Sequence, residues 1–283
     1  MRWRCPICAG DLALLQGGAR CPLGHQFDRA RQGYINLLPV NHKGSREPGD
    51  GAEMIKARQA FLAAGHYQPL ANRLVTIVCD EVRDRFRDSS RNTRPVNVLD
   101  CGCGEGYYTS ALAAGLLGLD RPSRVTGLDI SRMALRLASR QHAEIEFAVA
   151  SNFHLPVQDD QIDVMIRIFA PGDFGEVRRV LGPQGIIIVV SPGPRHLYEL
   201  KQGIYAEPRN HAAPTMPEGF DCLLEDTLHF PVVLQTREEI DALLTMTPFV
   251  WTARRETVSE LDHLTQLTTQ AEFIIRCYQP IAV

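Results

Sequence analysis

The chain has 283 residues, 45% of them hydrophobic, with 30 Lys and Arg against 33 Asp and Glu and a formal net charge of −3. That length holds one large core and a small accessory unit, and no run of about 18 apolar residues occurs, which excludes a transmembrane helix and predicts no membrane partner. The opening MRWRCPICAG lacks the apolar stretch of a secretory signal, so a cytoplasmic location with reduced thiols is expected for the eight cysteines.

Residues 5–28 read CPICAGDLALLQGGARCPLGHQFD. Cys5-x2-Cys8 is followed, after twelve residues, by Cys21-x3-His25. Two short chelating turns separated by a loop predict a tetrahedral structural zinc site with Cys5, Cys8, Cys21 and His25 as ligands. Three thiolates and a neutral imidazole around Zn²⁺ leave no open position, so the site should hold shape and do no chemistry. A redox Cys-x-x-Cys would open a helix in a βαβ setting, which is absent here. So short a segment cannot bury a core alone, and metal binding would supply its folding energy. Residues 1–46 carry seven Lys and Arg and two Asp, a charge of +5 that leaves −8 for the rest. An anionic partner is therefore expected at this end. Trp3, Phe27 and Tyr34 interleave with the basic residues and either stack on bases or form the module's small core.

GSREPGDG, residues 44–51, predicts a linker. In AEMIKARQAFLAAGHY, Met54, Ala57, Phe61 and Ala64 share one helical face, and Gly65 ends the helix. QPLANRLVTIVCDEVRDRF predicts a second amphipathic helix that buries Leu70, Leu74, Ile77, Val78 and Val82, and RDSSRNTRP a polar linker. VNVLDCGCGEGYYTSALAAGL then reads as a buried parallel strand, an acid, glycines and a helix. Gly102, Gly104 and Gly106 let the backbone turn sharply and approach a ligand. This is a nucleotide cradle, but a dinucleotide would need a helix N-terminus free for its anionic pyrophosphate. Asp100 at the strand end and Glu105 in the loop would repel that anion. They suit the sulfonium and α-ammonium of S-adenosylmethionine. A plain helix N-cap is the structural alternative for Asp100.

RVTGLDIS ends in Asp129, placed to accept hydrogen bonds from ribose hydroxyls. After the strand in IEFAVASNFHLPV, Ala150, Ser151 and Asn152 fall where a loop would pass the adenine ring. IDVMIRIFAP and GPQGIIIVVSPGPRHL supply the fourth and fifth strands. LHFPVVL and EFIIRCYQP read as two late strands, paired as an antiparallel hairpin. Alternating strands and helices predict an α/β, doubly wound parallel sheet, with ligand across the carboxyl ends of the strands.

The core resembles the class I S-adenosylmethionine-dependent methyltransferases. The whole chain resembles the RlmA (RrmA) family of large-subunit rRNA guanine-N1 methyltransferases. CPICAGDL, CPLGHQFDRARQGYINLLP, MIKARQAFLAAGHYQPL, LDCGCGEGYYT, IRIFAP and PGPRHLYELK carry the likeness over nearly the entire length. It implies a zinc-binding, RNA-recognising domain over 1–46 and a Rossmann-like, seven-stranded methyltransferase domain over 47–283. It further implies a homodimer whose paired domains form an RNA cleft, acting on a guanine in hairpin 35 of 23S rRNA. NLLPVNHKGSREPGD is closer to the Gram-negative branch, which methylates guanine 745, than to the macrolide-resistance branch, which methylates guanine 748. By position, the resemblance implies that Tyr67 packs on the cofactor, that Gly104 and Glu105 hold its methionine end, and that His196 closes the site. Helix-end packing and a surface loop are the alternatives for Tyr67 and His196. GDFGE, after IRIFAP, matches no motif of the family, and Asp173 receives no role.

Methyl transfer is an in-line displacement, so alignment dominates. Guanine N1 must lose its proton, and charge then builds on O6. Arg167, at the end of the fourth strand, is the candidate to stabilise that charge, with a structural ion pair as the alternative. No residue stands out as general base, and the target base is expected to flip out of its loop. Two other readings compete: a methyltransferase acting on a small molecule or protein, and a zinc RNA-binding protein that lacks activity.

Overall fold

The architecture comes from a computed structural model, which describes residues 1–39, 49–86, 94–205, 207–247, 249 and 263–281. Most of each predicted linker, residues 44–48 and 87–93, lies outside the described residues.

The chain opens with a four-stranded antiparallel sheet, β1 (Trp3–Arg4), β2 (Asp11–Leu15), β3 (Gly18–Arg20) and β4 (Gln26–Asp28), in the order β1-β2-β3-β4. The large sheet is built from β5 (Ile35–Asn36), β6 (Val96–Cys101), β7 (Ser123–Asp129), β8 (Glu146–Val149), β9 (Ile162–Ile168), β10 (Leu181–Pro192), β11 (Phe220–Leu234) and β12 (Leu267–Pro280). Its order is β11-β12-β10-β9-β6-β7-β8-β5. β8, β7, β6, β9 and β10 run parallel, β12 is antiparallel to β10, and β11 is antiparallel to β12. All six residues of β6 are buried, as a central parallel strand covered on both faces requires. β6 lies between β7 and β9, so the strand order reverses there and the chain connections leave its carboxyl end in opposite directions, which opens a crevice.

Seven of these strands form the doubly wound sheet. The eighth, β5, comes from residues read with the zinc module and adds in parallel to β8 through Ile35 and Asn36. Trp3 also bridges Val157, and Arg4 N–H donates to the Pro156 carbonyl at 2.9 Å. The small sheet is therefore stitched to the segment between β8 and β9 of the large domain.

The late strands run longer than their apolar runs suggest. β11 starts at Phe220, eight residues before LHFPVVL. Its early half alternates half-buried and exposed positions at the sheet edge, so polar side chains mask the strand; Pro231 is tolerated there.

Helices α1 (Ala52–Ala63), α2 (Gln68–Arg85), α3 (Tyr107–Leu116), α4 (Arg132–Gln141), α5 (Phe174–Val180), α6 (Tyr198–Ile204) and α7 (Arg237–Met246) cover the sheet. α2 buries all five predicted residues, together with Ala71 and Cys79. The predicted face of α1 needs correction. Ile55, Phe61 and Leu62 are its buried residues, Met54 is half-buried and Ala64 is exposed. Alanines offer little area, so packing against α7 selects the larger side chains flanking Phe61.

Trp3 is 3% exposed, and its indole N–H donates to Glu146 at 3.0 Å. It packs with Cys5, Leu12, Leu99, Leu155 and Val157, while Phe27 and Tyr34 are half-buried against neighbouring clusters. For Trp3 the core reading holds, while Phe27 and Tyr34 pack against the core with part of each ring exposed.

Candidate functional site

In the N-terminal sheet, CPIC and CPLGH form tight turns. Cys5 N–H donates to the Gly10 carbonyl, and Gly24, at φ +86°, N–H donates to the Cys21 carbonyl. Their ligand atoms converge, all within 4.8 Å of one another. Cys8 Sγ lies 3.7 Å from Cys21 Sγ, Cys5 Sγ 3.7 Å from His25 Nδ1, and Cys21 Sγ 3.2 Å from His25 Nδ1. With Zn–S bonds of about 2.3 Å, a tetrahedral site has S···S edges of about 3.8 Å. The donor set fits zinc, and four protein ligands leave no position for a substrate.

The crevice at the carboxyl ends of β6, β7, β8 and β9 is a cleft of about 320 Å³. Gly102 has φ +82°, and a Cβ there would stand 2.4 Å from that of Ala170, so only glycine fits. Gly104 and Gly106 also have positive φ, and Gly106 caps α3. Asp100, Glu105 and Asp129 line the cleft together with Asp50.

Asp100 is 1% exposed. Burial pushes its carboxyl up to about 7, aided by Asp129 and Glu105 and opposed by the Thr109 hydroxyl, which donates to it at 2.7 Å. Asp100 is therefore not an N-cap: its partner is a side chain inside α3, and Gly106 is the cap. Burial also raises Asp129, although Gly104 N–H and Ser131 N–H donate to its two oxygens at 2.9 and 2.7 Å. The acids thus face one space, where a cation would relieve their mutual repulsion. Glu105 accepts a hydrogen bond from Arg58 Nε at 3.0 Å, and Arg58 Nη1 donates to Asp50.

Ala150, Ser151 and Asn152 line the far wall. Ser151 Oγ accepts from Phe153 N–H at 3.2 Å. Asn152 Nδ2 donates to the Pro171 carbonyl at 3.1 Å, and its buried Oδ1 has no partner among the described residues. Phe153 and Phe169 stand at the cleft, 50% and 46% exposed, and Phe169 holds φ +53°.

Tyr67 and His196 are brought together but stand outside the cleft lining. Tyr67 Oη lies 3.3 Å from His196 Nε2, and the His196 ring contacts Phe169 and Phe273. Glu272 N–H donates to Nδ1, so Nε2 carries the ring proton and donates to Tyr67. Burial holds this imidazole down to about 3, so it is neutral. As placed, the His196 ring braces Phe169, with Tyr67 behind it.

Arg167 is 6% exposed, and its guanidinium lies 4.4 Å from the centre of the Phe174 ring. No ion pair to it occurs among the described residues, and its Nε is buried without a partner, which removes the structural ion pair as an explanation. Its Nη1 reaches Gly172, in the loop after Phe169. Asp173 caps α5, accepting from Glu176 N–H at 3.1 Å.

Sequence reasoning missed Arg58, Asp50, Phe153 and Phe169 at the cleft. Arg58 sits within MIKARQAFLAAGHYQPL, but an arginine in an amphipathic helix reads as a solvated face.

A zinc ribbon docked on a doubly wound sheet, with an acid-lined cleft at the switch point, defines a class I S-adenosylmethionine-dependent methyltransferase with a structural metal module. Two family models agree: the N-terminal domain of RlmA over residues 3–46 and a methyltransferase domain over residues 92–247. A Micromonospora griseorubida protein provisionally named a 23S rRNA (guanine-N(1)-)-methyltransferase is 37% identical, covering 98% of this chain and 97% of its own. The 23S rRNA (guanine(748)-N(1))-methyltransferase of Streptomyces fradiae is 31% identical over 96% of this chain and 95% of its own. The chain belongs to the RlmA family of 23S rRNA (guanine-N1)-methyltransferases.

Proposed function

We propose that this protein transfers a methyl group from S-adenosylmethionine to N1 of a guanine in hairpin 35 of 23S rRNA. The similarity to rRNA guanine-N1 methyltransferases, running through both ribbon and cleft over 96% or more of the chain, carries the reading. Bound S-adenosylmethionine supplies an activated methyl carbon. Asp129 would accept from the ribose hydroxyls, Glu105 and Asp100 would face the cationic groups, and Gly102 and Gly104 would let the backbone approach. Ser151 and Asn152 would flank the adenine, where the unpartnered Asn152 Oδ1 could accept from its amino group. Tyr67 and His196 would act on the cofactor through Phe169, against which the His196 ring packs.

The target base flips into the cleft mouth between Phe153 and Phe169, whose exposed rings offer stacking surfaces. Arg167, buried without a carboxylate, stabilises charge on O6 through the loop it supports. The ribbon over 1–46 grips the RNA with exposed Arg2, Arg20 and Arg31, and the domain over 47–283 does the chemistry. The reading includes a homodimer; exposed Leu14, Leu15 and Leu23 on the ribbon leave apolar surface for such a contact, and sedimentation tests it.

Two positions compete within the hairpin. NLLPVNHKGSREPGD, of which residues 40–48 lie outside the described residues, favours guanine 745, whereas the Streptomyces fradiae relative is named for guanine 748. Purified protein, labelled S-adenosylmethionine and unmodified 23S rRNA test the proposal. Label recovered as N1-methylguanosine supports it. No transfer to rRNA, with transfer to a small molecule or protein, overturns it.

A further inference from the structure

We infer that Arg58 recognises the carboxylate of the cofactor's methionine end, exchanging its bond to Asp50 for that ligand. The inference rests on reading the cleft as an S-adenosylmethionine site. The methionine end carries two cations, the sulfonium and the ammonium, and one anion. Four carboxylates in the lining suit the cations and repel the anion. Among the described residues lining the cleft, Arg58 is the one cation.

Its position fits the role. A Cβ at Gly104 would lie 3.3 Å from Arg58 Nη2, so the guanidinium hangs directly over the glycine loop. Its two partners differ in exposure. Glu105, with a side chain 6% exposed, holds Nε at 3.0 Å, whereas Asp50, 42% exposed, takes Nη1. Nη2 has no hydrogen bond among the described residues. The buried carboxylate fixes the plane of the fork, and the two Nη groups remain for a bidentate carboxylate. Asp50 then serves as a stand-in anion that the incoming carboxylate displaces, while Glu105 keeps Arg58 aimed inward. It is also the partner that water most readily accepts back.

Calorimetry on the full zinc-loaded chain tests this with two ligands, S-adenosylmethionine and its decarboxylated form, which lacks only the carboxylate. The wild type should favour the intact ligand by about 10- to 100-fold, the range of charge-assisted hydrogen bonds. Arg58→Gln should weaken the intact ligand by that factor and leave the decarboxylated one within about threefold, so that the preference disappears. Arg58→Lys should keep part of it. Asp50→Asn, which removes the competing anion without touching the guanidinium, should tighten the intact ligand about two- to fivefold. Equal weakening of both ligands by Arg58→Gln, or weaker intact-ligand binding in Asp50→Asn, overturns the inference while leaving the cofactor reading intact. A wild type that binds neither ligand overturns both.

Discussion

Asp100→Asn should make the unliganded protein more stable above neutral pH while weakening cofactor binding. Asp100 is fully enclosed, with a carboxyl pushed to about 7 by burial first and by Asp129 and Glu105 second, against an ordinary 3.8. Between those values the folded chain holds a proton that the unfolded chain has lost. Stability therefore falls as pH rises through the window, by about 1.4 kcal/mol per unit. The accumulated cost grows from almost nothing near pH 4 to about 4 kcal/mol at pH 8. Asparagine is uncharged in both states and keeps an oxygen for the Thr109 hydroxyl. Any cost of the new amide nitrogen is independent of pH and cancels when two pH values are compared. From pH 5 to pH 8 the advantage of Asp100→Asn over wild type should grow by about 2–3 kcal/mol, roughly 4–10 °C in Tm for a chain of this size. Thermal unfolding followed by circular dichroism at both pH values reads this. Calorimetry should show S-adenosylmethionine binding weakened about 10-fold or more, since a carboxylate facing the cation is gone. A stability difference that stays constant from pH 5 to pH 8 would refute the argument, because Asp100 would then carry its charge at no cost.

Three further outcomes follow from the same geometry. Gly102→Ala adds a Cβ 2.4 Å from that of Ala170 at φ +82°; strain and overpacking together should cost about 2–4 kcal/mol in urea unfolding. The purified protein should hold one zinc per chain, and Cys21→Ser should both release it and lower Tm for the whole chain, because Trp3 and Cys5 share a core with Leu155 and Val157 of the large domain. A variant with zinc lost and Tm unchanged would argue that the ribbon folds independently. Arg167→Ala should leave S-adenosylmethionine affinity unchanged and slow rRNA methylation about 10- to 100-fold, with no rescue by Arg167→Lys, since lysine lacks the planar face that lies against Phe174; a full rate would remove Arg167 from the mechanism.

What could be read from the sequence follows from what is local. The four metal ligands were legible because chelation fixes spacing within short turns. β6 and the turn that follows it were legible because a buried parallel strand is continuously apolar and its acid and glycines come next in the chain. β5 was not, because two residues of INLLP carry no periodicity, and only tertiary pairing with β8 makes them a strand. Arg58 was hidden for a related reason: its partner Glu105 is 47 residues away, and helical spacing alone cannot tell a cleft from solvent. The hydrogen bond between Tyr67 and His196 spans 129 residues and could be approached only through family resemblance. The face of α1 was misjudged because Ala57 and Ala64 satisfy the helical period without contributing packing area.

On the proposed function, an acid-lined cleft for a cationic methyl donor and a zinc-stapled basic module act together on one guanine of ribosomal RNA. Primer extension across hairpin 35, in a strain lacking this modification and supplied with the gene, tests it most directly, because N1 methylation blocks base pairing. A strong stop at one guanine is expected with the wild-type gene and none with Asp129→Asn. Read-through in both strains, with folded zinc-loaded protein present in each, would contradict it.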